Sequence, residues 1–451
     1  MERITKKIQV QDIFDFKIKL LSWAQQYGQV SWLDSNNYPQ KYSNFDAVLA
    51  VDAYTEIQSD YHKAFTKLKQ YQAKIKDYIF GYLSFDLKND IEDLHSRNKD
   101  YLQFPEMYFF QPKKIFFLKD KTLEIQYLNL IDHNIDEDLE DILNYPINPN
   151  HDGLSINQIG NIKKRISKVK YLKKLDTIFK HIQKGDIYEV NLCQEFYAEN
   201  TDIDPLSIYY KLNSITCAPF GNFLKLNDKF ILGASPERFV KKEGVKIISQ
   251  PIKGTAKRLA NLRKDENMIK LLSKDPKERA ENIMIVDLVR NDLSKTAVEG
   301  SVFVEELCKV YSFKQVHQLI STVVSKVDLY KDPIDIIKSL FPMGSMTGAP
   351  KIAAMKIIEA QEETKRALYS GTVGYFSPEN DFDFNVVIRS ILYNQAKQYL
   401  SFSVGGAITS QSDPEKEYKE CLVKAKAMIQ VLTQNIPSNL RSINNSNPLP
   451  F

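Results

Sequence analysis

The stretch FLKLNDKFILGASPERFVKKEGVKIISQ, residues 223–250, decides the fold class. Four β-rich segments, FLKL, KFILG, RFVKK and VKIIS, follow one another, with Asn227-Asp228 and Glu243-Gly244 as turn residues. Strands spaced this closely pair antiparallel, because a parallel crossover needs about a dozen connecting residues or more. Upstream, Ile162, Ile166, Val169, Leu172, Leu175, Ile178, Phe179 and Ile182 recur at three- and four-residue spacing. That period predicts a long amphipathic helix ending near Gly185. Downstream, a helical stretch is expected over about 265–293, strands over about 369–409 and a helix over about 413–433. Helices interleave with antiparallel strands, so the class is α+β.

Residues 1–145 are rich in Phe and Tyr, most densely in YIFGYLSFDLKNDIEDL (78–94), and read as an N-terminal region. Residues 146–160 include PINPNHDGLSINQ and read as a linker. Residues 161–434 form the main region, and 435–451 are a polar, Pro/Asn-rich tail expected to be flexible. With 451 residues and 43% hydrophobic content, the chain can bury a large core as one big domain or two intimate ones. Its 61 basic and 57 acidic residues leave a net charge of only +4, and no basic block interleaves with aromatics. Nucleic acid is therefore not an expected partner. No apolar run approaches the roughly 20 residues that span a bilayer. MERITKKIQVQDIFDF has no apolar signal core, so a cytoplasmic protein without a membrane partner is expected. Cys193, Cys217, Cys308 and Cys421 form no CxxC and read as small core residues in a reducing compartment. The six histidines form no HxH or HxxxH pair, which argues against zinc or iron.

Three constellations offer chemistry. In DPKERAENIMIVDLVRNDL, Asp275 caps a helix, Pro276 opens it, and Glu278 and Glu281 share a face. DPEKEYKECLVKAKAM repeats this with Asp413, Pro414, Glu417 and Glu420. Hard carboxylate oxygens suit Mg²⁺, although either pair alone also reads as a solvated helix face. Asp287 and Arg290 share a stripe with Ile283, Met284 and Val286, as a structural ion pair or as supports of a polar site. In QPIKGTAKR (250–258), Pro251 and Gly254 bracket Lys253. A lysine held on such a turn can be desolvated, which lowers its pKa and frees a nucleophilic amine; alone it equally reads as a surface lysine. In FPMGSMTGAPK (341–351), Gly344, Ser345, Thr347 and Gly348 form a loop entering a helix at Pro350, a candidate anion site. Gly405-Gly406, after YLSFSV, permits close backbone approach to a ligand. Glu237 in ASPERF, His317 in VHQLIS, Tyr375 in GTVGYFS and Arg389 in VVIRS complete the candidates; His317 alone also reads as a hydrogen-bonded core histidine.

In order, GDIYEVNLCQ, ASPERF, PIKGTAKR, ERAENIMIVDLVRNDL, VHQLIST, FPMGSMTGAPK, GTVGYFS, VVIRS, VGGAI and EKEYKE resemble the chorismate-binding enzymes. That family includes the aminodeoxychorismate, anthranilate, isochorismate and salicylate synthases. The resemblance covers about residues 165–430; GYLSFDL and WLDS (32–35) add a fainter N-terminal match, WLDS to a segment that lines a tryptophan pocket in relatives. It implies two large antiparallel sheets packed together and flanked by helices, as in anthranilate synthase component I, with the site between them. It implies Glu281 and Glu420 as Mg²⁺ ligands with Glu278 and Glu417 alongside. Arg389, Tyr375, Gly405, Gly406 and Gly348 would hold substrate, with Thr347 near the ring and His317 among the catalytic residues. Glu237 would protonate the departing C4 hydroxyl, which requires a carboxyl still protonated near neutral pH. PIKGT resembles the aminodeoxychorismate synthases, whereas anthranilate synthases usually read PIAGT. The implied reaction is amination of chorismate to 4-amino-4-deoxychorismate, for para-aminobenzoate and folate, through attack by Lys253. Ammonia would come from a separate glutamine amidotransferase subunit, since no cysteine sits in a glycine-flanked nucleophile turn. Anthranilate synthase component I is the alternative enzyme, and a catalytically inactive chorismate-binding homologue the non-enzymatic one. Glu189 departs from the pattern, standing where relatives carry glutamine and isochorismate-type relatives a lysine.

Overall fold

The computed structural model describes residues 2–39, 41–129, 134–146, 159–314 and 316–433. Most of the expected linker (147–158) and the whole tail (435–451) lie outside the described residues.

The decisive stretch forms its two hairpins. Phe220–Leu226 pairs with Lys229–Ser235 around Asn227, and Arg238–Glu243 pairs with Lys246–Gln250 around Gly244. Asn227 and Gly244 take φ of +55° and +59°, the left-handed region such tight turns need. The four strands do not make one meander, however. Lys229–Ser235 continues onto Ser390–Asn394, whereas Arg238–Glu243 continues onto Phe382–Val386. Between Ser235 and Arg238 the chain passes from one run of paired strands to another, and Pro236, which cannot donate to a ladder, sits at the break.

All named strand pairs are antiparallel and link into one network. The long strands Ala47–Ser59 and Met107–Lys119 join two arms. One arm runs through Gln29–Asp34, the first hairpin, Ser390–Asn394 and Tyr399–Thr409 to Glu189–Ala198. The other runs through Ile79–Leu83, Thr372–Phe376, Phe382–Val386 and the second hairpin to Val316–Lys326. An apolar core with Leu224, Ile231 and Leu392 from one arm and Phe80, Val373 and Tyr375 from the other packs between them. Helices Lys168–Lys184, Pro205–Thr216 and Pro414–Thr433 cover the outer face of the first arm. Ala64–Ile75, Pro276–Ser294 and Pro333–Leu340 cover that of the second. This is the α+β arrangement of two packed antiparallel sheets that the resemblance implies. Gln29–Asp34 pairs with Phe220–Leu226, and Ile79–Leu83 with Thr372–Phe376. Residues before 146 and after 160 therefore share the same sheets.

Local signals set the helix ends. Gly185 ends the first long helix at φ +80°, but that helix starts at Lys168, not Ile162, because Ser167 caps it through the Lys170 N–H. The helical stretch expected over 265–293 is two helices, Leu262–Lys274 and Pro276–Ser294, the second starting at the Asp275-Pro276 cap the sequence predicts. Pro276 has no N–H with which to continue the first, and Asp275 accepts from the N–H groups of Lys277 and Glu278 to start the second. Of the two readings the sequence left open for Asp287 and Arg290, the ion pair is the one formed. The two residues form a 2.8 Å pair on the exposed side of the helix and support no buried site.

Candidate active site

Glu237 and Arg389 occupy the two places where the chain crosses between arms. The crossing segments bind each other: the Val386 N–H donates to Glu237 O at 3.0 Å, and the Ala234 N–H to Arg389 O at 3.2 Å. Arg389 holds φ +52°, and among the described residues its guanidinium makes no hydrogen bond or ion pair. Burial lowers its pKa, opposed by Glu237. Glu237 is buried, and Ser345 of the glycine-rich loop donates to its Oε1 at 2.6 Å. Burial pushes its carboxyl up to about 7, against Ser345, Lys253, Arg389 and the Ile252 N–H, which favour the charged form. Near neutral pH this carboxyl can therefore give up a proton.

Lys253 lies on the strand Ile252–Lys257, at a register shift in its pairing with Val316–Lys326. Gly254 takes φ +94°, a conformation a side chain would strain. Asn282 clamps this turn, its Nδ2 donating to the carbonyls of Lys253 (3.1 Å) and Leu319 (3.2 Å). The Lys253 ammonium donates to Glu189 Oε1 at 3.0 Å. Burial disfavours the ammonium charge, but Glu189, Glu281 and Glu237 outweigh it, and the pKa is raised. The expectation of a lysine freed by desolvation is corrected: a buried carboxylate holds the proton on it. Glu189 itself is fully buried, and among the described residues its Oε2 has no hydrogen-bond partner.

The two ExxE helices, Pro276–Ser294 and Pro414–Thr433, bring Glu278, Glu281 and Glu420 into one electrostatic field around Lys253. Burial pushes Glu281 up to about 7 against Lys253 and Lys277, with Glu278 and Glu189 adding to the rise. Burial likewise raises Glu278 and Glu417, each with a further push from Glu420. For Glu420 burial is overcome by Lys424, 2.7 Å away, and the net shift is downward. Among the described residues no three His, Cys, Asp or Glu side chains gather into a metal-holding group.

The glycines serve packing. A Cβ on Gly348 would lie 2.1 Å from Glu189 O, and one on Gly405 would lie 2.5 Å from Cys193 Sγ. A Cβ on Gly406 would meet Glu417 Oε2 at 3.3 Å, so the second ExxE helix sits close against this strand. The Thr347 hydroxyl is taken by the carbonyls of Met343 and Gly344. Two candidates turn elsewhere. Both ring nitrogens of His317 are engaged, by Ser312 Oγ at 2.8 Å and Asp265 Oδ1 at 3.0 Å, so it braces the helix Leu262–Lys274 against its strand. Tyr375 lines a separate cavity with Leu33, Asp34 and Ser35 of WLDS, and accepts from Asn44 at 3.4 Å. Neither hydrogen-bonds to the Lys253–Glu237 cluster.

Sequence reading missed Asn282 and Arg366. Asn282 is the buried amide beside Glu281, a polar residue on a core-facing stripe, and that was its signal. Arg366 donates to Met346 O at 2.7 Å and Asn191 O at 2.8 Å, tying the glycine-rich loop to the strand of Glu189. Nothing local distinguishes it.

Comparison with known proteins places these features. The description "chorismate binding enzyme" matches residues 28–430. Aminodeoxychorismate synthase of Streptomyces griseus is 39% identical over 284 residues, covering 62% of this chain and 39% of the relative. Aminodeoxychorismate synthase component 1 of Salmonella typhimurium is 39% identical over 59% of this chain and 58% of its own length. The anthranilate synthase component I-like protein of Synechocystis sp. is 33% identical over 78% of this chain and 72% of its own. The chain thus spans well under two thirds of the aminodeoxychorismate synthases it matches. Anthranilate synthase component I from Streptococcus pneumoniae TIGR4 superposes at TM-score 0.75 and 24% identity, covering 87% of this chain and 93% of that one. The menaquinone-specific isochorismate synthase from Escherichia coli does so at TM-score 0.75 and 18% identity, covering 96% and 94%. The sheet architecture is thus common to solved relatives, the sequence match runs nearly end to end, and the chain belongs to the chorismate-binding enzyme family.

Proposed function

We propose that the chain aminates chorismate to 4-amino-4-deoxychorismate, as component I of an aminodeoxychorismate synthase. The observation that carries this reading is Lys253, a largely buried amine within one field of a protonatable Glu237 and three of the ExxE glutamates, Glu278, Glu281 and Glu420. The names of the relatives support it. Lys253 Nζ attacks C2 of the ring, the ring double bonds shift, and the C4–O bond breaks. Glu237 gives its proton to the leaving oxygen, so water departs. Ammonia then bonds to C4, the double bonds shift back and the C2–N bond breaks, returning the electron pair to Lys253. The new ammonium gives a proton to the Glu237 carboxylate. One difficult substitution becomes two easier ones. The Arg389 guanidinium, without a hydrogen-bond or ion-pair partner among the described residues, suits a substrate carboxylate.

Mg²⁺ fits the donor set. The glutamates offer hard oxygens, and burial, with a smaller push from neighbouring carboxylates, raises three of the four carboxyls, a charge penalty that a divalent cation relieves. The lack of a tight three-residue cluster is no obstacle, since Mg²⁺ takes about one or two protein carboxylates and completes its shell with water and substrate oxygens. Glu281 and Glu420, with Glu278 and Glu417 beside them, would hold it, and when bound it supplies positive charge for the ring carboxylate. Ammonia is drawn from a separate glutamine amidotransferase subunit. Cys193, Cys308 and Cys421 are buried and half-buried Cys217 ends a helix, so no described cysteine resembles an exposed nucleophile. No helix of the described residues is long and apolar enough to cross a membrane, in keeping with a cytoplasmic enzyme. Mass identification of the product from chorismate, Mg²⁺ and ammonium tests the reading; anthranilate as product replaces it with the anthranilate synthase one.

A further inference from the structure

Glu189 is the one carboxylate among the described residues within ion-pair distance of Lys253 Nζ. It is fully buried, its Oε1 takes the lysine at 3.0 Å, and its Oε2 has no partner. A lone buried carboxylate is costly, and one that pairs with a single amine ties its charge to that amine. The strand Glu189–Ala198 is fixed there from two sides: Ala349 pairs with Glu189, and Arg366 binds Asn191 O. The carboxylate is therefore held in place, not swung in by a flexible arm.

We infer that Glu189 is the positioning residue that keeps Lys253 as an ammonium in the free protein and takes its proton when the amine attacks. This rests on the amination reading above. The steps balance. Lys253 ammonium and Glu189 carboxylate become amine and acid. The amine's lone pair forms the bond to C2 while Glu237 supplies the proton that leaves with the hydroxyl. When ammonia has displaced the lysine, the amine recovers its proton from Glu189. In a low-dielectric site the neutral amine–acid pair competes with the ion pair, so the proton can pass directly between the two.

The charged groups facing Lys253 are Glu189 on its strand, Glu281, Glu278 and Glu420 on the two ExxE helices, and Glu237 at the crossing. Glu189→Gln removes only the first and keeps its shape. Full-length protein is reductively ¹³C-methylated, and the Lys253 resonance is identified as the one Lys253→Arg lacks. Its titration midpoint is expected to fall by about one pH unit or more in Glu189→Gln, the scale for losing an adjacent opposite charge. Glu189→Asp keeps the charge but withdraws it by one methylene, and gives a smaller fall; it decides the matter if Glu189→Gln does not fold. A midpoint equal to that of wild type overturns the inference. The product of the unmethylated wild-type protein is identified alongside, so anthranilate or no product there rejects the amination reading while the midpoint still judges Glu189.

Discussion

Lys253 and Glu237 divide the labour by charge. Lys253→Ala should keep its fold by circular dichroism, since Asn282 holds the backbone there, but at reduced stability because Glu189 loses its buried partner, and it should lose about 10²-fold or more of the ammonium-dependent rate. Lys253→Arg should not restore it, because guanidinium stays protonated. A Lys253→Ala enzyme at wild-type rate removes the nucleophile from the scheme. For Glu237 the pKa is raised from 4.5 to about 7, so the folded protein binds the extra proton between those values. Its stabilising contribution is present below the unfolded value and is lost as pH rises through the folded one. In activity, kcat/KM should fall above about pH 7 as the acid is lost. Glu237→Gln should erase that limb and slow the rate; an unchanged alkaline limb assigns it to another group. Because Glu189 holds the proton on Lys253, the lysine adds no rising limb at a lowered pH.

At the level of elements, each ExxE helix starts with an Asp-Pro pair that aims two glutamates before the helix enters the core. Asp275→Ala should cost about 1 kcal/mol in urea unfolding, the usual worth of an N-cap. Glu281→Gln or Glu420→Gln should remove most turnover, and excess chelator should do the same to the wild type; full rates in chelator refute the Mg²⁺ assignment. The glycine-rich loop acts through its anchors. Ser345 binds Glu237 and Arg366 binds Met346 O, so the loop supports the acid. The loop's anion-site reading lacks that support, because Thr347 spends its hydroxyl on the loop's own carbonyls.

At the scale of the whole molecule, the catalytic groups depend on the joining of the two arms. Residues 161–433 expressed alone should aggregate on size exclusion, because removal of 1–145 strips Gln29–Asp34 and Ile79–Leu83 from strands they pair with. A monomeric, folded fragment would show instead that the later strands close by themselves. The full chain should use ammonium but not glutamine until a glutaminase subunit is added. Glutamine hydrolysis by the chain alone contradicts the separate-subunit proposal.

Features that reach only a few residues along the chain were legible beforehand. Asp275-Pro276, Asp413-Pro414, Ser-capped and Gly-ended helices, and the Asn-Asp and Glu-Gly turns are local hydrogen-bond and φ requirements written in adjacent residues. The α+β class followed from them, and the ordered motifs identified the family. Tertiary structure decided the rest. Glu189 lies 64 residues from Lys253, and Glu237 lies 108 residues from Ser345. No spacing rule connects such pairs, and their charge states follow from burial and from neighbours across a low-dielectric site. Hence a lysine expected to be neutral is held charged, His317 turns to Asp265, and Tyr375 faces the WLDS cavity. Sequence specified which groups could react; the packing of two sheet arms selected which ones meet and which proton each one holds.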